Sequence, residues 1–119
     1  EKAHAFKAAL QASDGIIISF AEHNGAYTTA FKNIFDWISR LEKPIWCGKP
    51  MFLLSTSTGV RGGKTVLELA HLRLSRDMPN IPCFALPSYK ETFDEEKGII
   101  EATHLAAFNE ALEVFVRQL

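Results

Sequence analysis

Three short apolar runs alternate with four longer segments whose apolar residues recur every three or four positions, and few folds accept that order. The runs are residues 15–20 (GIIISF), 51–54 (MFLL) and 81–86 (IPCFAL). Each is short and continuous, as in a strand covered on both faces. The segments between them carry helical periodicity. Residues 2–11 place Phe6 and Leu10 at i, i+4. A helix capped by Thr28 places Phe31, Ile34, Phe35 and Ile38 on one stripe. Residues 64–75 turn Val66, Leu67, Ala70 and Leu74 inward. Residues 103–118 carry Leu105, Phe108, Leu112, Phe115, Val116 and then Leu119. The order α-β-α-β-α-β-α predicts a parallel sheet with helices on both faces, joined by right-handed crossovers. Pro82 cannot donate to a ladder, so the third strand is expected at an edge or to begin there. Residues 87–98 (PSYKETFDEEKG) read as a polar connection.

Ligands bind such sheets outside the carboxyl ends of the strands. Two polar loops stand there, AEHNGAY after the first run and TSTGVRGG after the second. The second continues into Gly63-Lys64-Thr65, the end of a phosphate-binding P-loop. Five residues before Gly63, where that motif requires glycine, stands Thr58. From Gly59 the loop is one residue short, and no later apolar run ends in an Asp to hold Mg²⁺. Nucleotide hydrolysis therefore ranks below other uses of the loop. Gly59, Gly62 and Gly63 can simply make room where a strand turns into a helix. The N–H groups at the helix start can also favour a delocalised anion. Asn24-Gly25 is similarly two-sided. It is a turn signal, and it also offers an amide beside a backbone open to a flat ligand.

Other polar residues have plainer readings. Lys32 and Asp36 form a surface i, i+4 pair. Trp37 flanks the apolar stripe as a core or interface residue, and 94–96 (DEE) is a solvated turn. Arg61 is an exposed loop arginine or a cofactor-phosphate contact. The four histidines have no ligand spacing, so no metal site is expected. Cys47 and Cys83, without CxxC spacing, read as reduced thiols of a cytoplasmic protein. The formal net charge is −1, which argues against a nucleic-acid partner, and no apolar run is long enough to span a bilayer. With 119 residues, the chain is expected to form one domain, 1–119.

Residues 14–40 (DGIIISFAEHNGAYTTAFKNIFDWISR) and 49–63 (KPMFLLSTSTGVRGG) resemble the two flavin loops of the NADPH-dependent FMN reductase family. Residues 93–100 (FDEEKGII) resemble the run before its last helix. The resemblance implies a flavodoxin-like three-layer α/β/α fold with a parallel sheet. It implies FMN as cofactor, NAD(P)H as co-substrate and a small-molecule electron acceptor such as a flavin, quinone or azo compound. It also implies a homodimer or homotetramer, without a catalytic nucleophile or base. Ala21, Glu22, His23, Asn24 and Gly25 would line the flavin ring, with Thr56, Ser57 and Gly59 facing it. Ala21 replaces the family's usual proline and His23 its usual tyrosine. The family's opening strand and phosphate-gripping loop have no counterpart, so the chain is expected to lack the first strands of that fold and to bind FMN weakly. The alternatives are a non-catalytic piece of the same fold and, further off, an NTPase.

Overall fold

The computed structural model describes all 119 residues. The elements run α1 (Lys2–Ala12), β1 (Ile16–Phe20), α2 (Thr29–Ile38), β2 (Met51–Thr56), α3 (Lys64–Leu74) and β3 (Cys83–Leu86). They continue through α4 (Tyr89–Thr92), a short hairpin of β4 (Phe93–Asp94) and β5 (Gly98–Ile99), and α5 (Ala102–Arg117). β1, β2 and β3 form one parallel sheet in that spatial order. The register pairs Ile16 with Met51 and Phe20 with Ser55, then Leu53 with Cys83 and Thr56 with Leu86. The expected α/β alternation is therefore present, with β3 at one edge and Pro82 just before it. β1 forms the other edge.

Alternation along β2 sends its side chains to two different cores. Met51 and Leu53 join Ile16, Phe20, Phe35, Ile38, Trp46, Val66, Leu67, Ala70 and Leu74 in one cluster. The four inward positions expected of α3 are all buried. The Thr28 hydroxyl accepts from Phe31 N–H at 3.1 Å, so the expected cap starts α2. Aromatic rings fill the space beneath α2: Phe31 lies 4.9 Å from Phe20 and 6.4 Å from Trp46 between centroids. On the opposite face Phe52 meets Phe108 and Phe115 of α5 at 6.0 and 5.8 Å.

That second face is covered unevenly. α5 packs over β2 and β3, leaving Ile17 of β1 54% exposed. Leu105, Val116 and Leu119, expected on the buried stripe of α5, are also exposed. The helix lies mainly over two of the three strands and meets the β1 side at Gly15, against which Phe115 and Leu119 pack, so Leu105 and Val116 stay open. Trp37 is 60% exposed rather than in the core. Residues 87–98 are more ordered than a polar connection. Asp94 accepts from Glu96 N–H and Lys97 N–H, closing the β4–β5 turn. Cys47 and Cys83 are free and half-buried. No helix is long and apolar enough to cross a membrane.

Candidate functional site

Parallel pairing of β1 with β2 brings residues 21–25 and 57–63 out at the same end of the sheet, one residue beyond the Phe20–Ser55 and Thr56–Leu86 pairs. The first loop is a tight hairpin. His23 N–H donates to Ala26 C=O at 3.0 Å, and Ala26 N–H returns to His23 C=O at 3.1 Å. Asn24 and Gly25 between them have φ of 52° and 78°. Two consecutive positive φ values define a type I′ turn, for which Asn-Gly is the preferred pair. The turn reading of this dipeptide is thus correct, and it presents the Asn24 and Gly25 N–H groups with no protein acceptor. Tyr27 roots the returning strand in the core, 5.0 Å from Phe31. Burial pushes its phenol pKa up, against the pull of Arg73 and Lys32.

The second loop is braced from within and from β3. The Ser57 hydroxyl accepts from Gly59 N–H at 3.2 Å, and Ser55 donates to Gly62 C=O at 2.8 Å. Gly62 has φ 60°, and a Cβ there would stand 2.5 Å from Leu86 O and 2.7 Å from Pro87 N. This glycine is required by the close approach of two backbones, with no phosphate involved. Gly59 is different: it has ordinary φ, and the nearest atom to an added Cβ is Ser57 Oγ at 3.7 Å. The fold itself therefore leaves room for a side chain at 59. Thr58 and Val60 N–H groups have no protein acceptor.

Side chains of two expected site residues are committed elsewhere. Thr56 Oγ1 donates to Leu86 C=O at 2.7 Å. The Glu22 carboxylate accepts from Val66 N–H at 2.8 Å. What these residues can offer a ligand at this edge is backbone. Ala21 through Gly25, Thr56 and Gly59 are exposed, and Ser57 is half-buried. Arg61 lies within reach of Thr65 Oγ1 and, at 3.8 Å, of Glu68.

A third loop at this edge escaped the sequence reading. Ser88 N–H donates to Gly59 C=O at 2.8 Å and Tyr89 N–H to Ser57 C=O at 2.9 Å. Tyr89 stacks on Phe93 with centroids 5.0 Å apart. The available signal was Pro-Ser-Tyr directly after an apolar run. By contrast, the apolar groove of about 490 Å³ along the free edge of β3, lined by Leu67, His71, Leu72, Cys83 and Phe84, lies on the flank of the sheet. The polar loops and their uncommitted amides do not line it.

A sequence profile of the NADPH-dependent FMN reductase family matches residues 1–93. The chain is 29% identical over 101 residues to an NADPH:quinone oxidoreductase of Arabidopsis thaliana, covering 82% of this chain and 51% of that one. It is 38% identical over 74 residues to a 2-hydroxy-1,4-benzoquinone reductase of a Burkholderia species, covering 61% and 39%. The chain thus spans about half the length, or less, of these relatives. Among solved structures, a flavoenzyme NAD(P)H:(acceptor) oxidoreductase from Paracoccus denitrificans superposes with a TM-score of 0.79. The match covers 98% of this chain and 66% of that one, at 22% identity, a likeness of fold.

Proposed function

The chain belongs to the NADPH-dependent FMN reductase family, and from that premise we propose that it forms part of an NAD(P)H-dependent, FMN-using oxidoreductase whose acceptor is a quinone. The relatives named for quinones support the acceptor class. The observation that carries the reading is the pair of exposed loops at one sheet end, with N–H groups of Asn24, Gly25, Thr58 and Val60 free of protein acceptors. An isoalloxazine ring is flat and rimmed by acceptor atoms, so it suits an open backbone with donors to spare.

FMN, when bound, supplies the hydride and electron transfer between nicotinamide and acceptor. The protein's share is to bind and orient. Ala21, Glu22, His23, Asn24 and Gly25 would stand on one side of the ring, and Thr56, Ser57 and Gly59 on the other. Fixed N–H donors favour negative charge beside them, which is the electrostatic help that such chemistry needs. His23 adds an exposed imidazole at the rim. Gly59, unconstrained by the fold, keeps the second loop low enough for close approach. Neither loop is assigned to the FMN phosphate, so ring contacts alone would give modest affinity. Cytoplasmic location and self-association belong to the same proposal.

The test is anaerobic. The protein is mixed with FMN, NADPH and 1,4-benzoquinone, and NADPH absorbance is followed against protein-free controls. Protein-dependent oxidation that requires FMN is expected. Flavin binding without turnover would leave a non-catalytic flavin module, and no flavin binding would overturn the reading.

A further inference from the structure

Residues 21–25 leave the sheet and return through their turn with one hydrogen bond to any other segment. That bond runs from Val66 N–H to Glu22 Oε1, 2.8 Å long and 44 positions apart in sequence. Val66 is the third residue of α3, whose N-cap, Gly63, has no side chain to offer. Early helix amides lack partners within the helix. A carboxylate is favoured there by the helix dipole and by the charge on the acceptor. Of the neighbouring amides, Lys64 N–H donates to Arg61 C=O at 3.0 Å and Leu67 N–H to Gly63 C=O at 3.1 Å, while Thr65 N–H has no protein acceptor. The start of α3 is therefore largely satisfied from within the protein, with the Thr65 amide left over. Its anion is Glu22.

The three loops are held together unequally. The second and third are joined by Thr56 Oγ1 to Leu86 C=O, Ser88 N–H to Gly59 C=O and Tyr89 N–H to Ser57 C=O. The first is joined to the second strand-loop-helix unit by Glu22 alone. We propose that Glu22 is a positioning residue: its carboxylate clasps the first loop to the start of α3 and so sets how Asn24-Gly25 stand relative to Ser57–Gly59. The role rests on the flavin reading of these two loops. Glu22 is exposed, but its bond caps a helix amide, so its loss is expected to be felt first at the start of α3 and in the first loop.

The experiment compares wild type, Glu22→Ala and Glu22→Gln by amide NMR, with far-UV circular dichroism to check folding. Each protein is titrated with FMN and with riboflavin, which carries the ring without the phosphate. In Glu22→Ala, Val66 amide exchange is expected to rise roughly three- to thirtyfold, the range for a lost helix cap. The dissociation constants read from the 24–25 and 57–59 amides are expected to rise by a similar factor for both ligands. Glu22→Gln keeps the acceptor oxygen and is expected to restore most of both effects. Unchanged Val66 exchange overturns the clasp. Unchanged binding of both ligands in a Glu22→Ala protein whose Val66 has been released overturns the positioning role. A wild-type protein whose loop amides ignore both ligands overturns the flavin reading and the positioning role with it. That failure is told apart from a failed clasp by Val66, whose exchange still responds to the substitution.

Discussion

Gly62→Ala offers the sharpest check on how the second loop is built. The added Cβ would lie 2.5 Å from Leu86 O, 2.6 Å from Leu86 C and 2.7 Å from Pro87 N. All three are backbone atoms at the end of β3, so no side chain can swing away. The residue would also have to hold φ near 60°, which costs an L-residue roughly 1–2 kcal/mol. Relief of the clash adds roughly 1–3 kcal/mol, the usual range for overpacking a tight site. The sum, about 2–5 kcal/mol, is a large part of the 5–15 kcal/mol that holds a typical domain together. For a chain of this size it corresponds to a fall in Tm of roughly 10–20 °C. Thermal and urea melts of Gly62→Ala would measure it, with Gly59→Ala as the control expected within about 0.5 kcal/mol of wild type. A Gly62→Ala protein that melts within 2 °C of wild type, as an order-of-magnitude threshold, would refute the close approach of the second loop to β3.

At the first turn, Asn24→Ala should cost about 1 kcal/mol by urea titration because alanine resists φ 52°, whereas Asn24→Gly should be near neutral. Weakened flavin binding in both variants would assign the lost contact to the Asn24 side-chain carboxamide, while loss in the alanine variant alone would assign it to the turn. Burial pushes the Cys83 thiol pKa from 9.0 up to about 11. The unfolded chain therefore releases this proton first as pH rises, and stability should decline between pH 9 and 11. Melts of Cys83→Ala should show a shallower decline across that window; an unchanged slope would mean the thiol is not the group responsible. Ile17 sits half-exposed on an edge strand that has no second neighbour, so Ile17→Lys should lower self-association by light scattering while leaving the melting curve nearly unchanged. Equal association in both proteins would place the contact elsewhere.

The parts of this molecule that were legible in the sequence are those where one period decides the outcome. The α3 positions Val66, Leu67, Ala70 and Leu74 are buried because helical spacing aligns them, whatever they pack against. The three apolar runs become strands because each is too short for a helix and is bounded by Gly, Pro or polar residues. Parallel pairing then puts both loops at one end of the sheet, which followed from strand order alone. Legibility failed where the answer depended on what a residue meets across the fold. Leu105 and Val116 have the spacing of buried residues, but α5 lies mainly over two strands. Gly62 and Gly59 look alike in sequence, yet a Cβ on the first would run into the backbone of β3 while a Cβ on the second would meet only Ser57 Oγ, at 3.7 Å. Glu22 lay inside the motif for the flavin ring, while its partner, Val66, lies 44 residues onward at a helix start that reads as needing an anion from outside. Local chemistry indicated that the helix end would hold negative charge. Only the tertiary arrangement identifies that charge as the protein's own: Glu22 takes the Val66 amide, and the amides still open to an outside anion include those of Asn24, Gly25, Thr58, Val60 and Thr65.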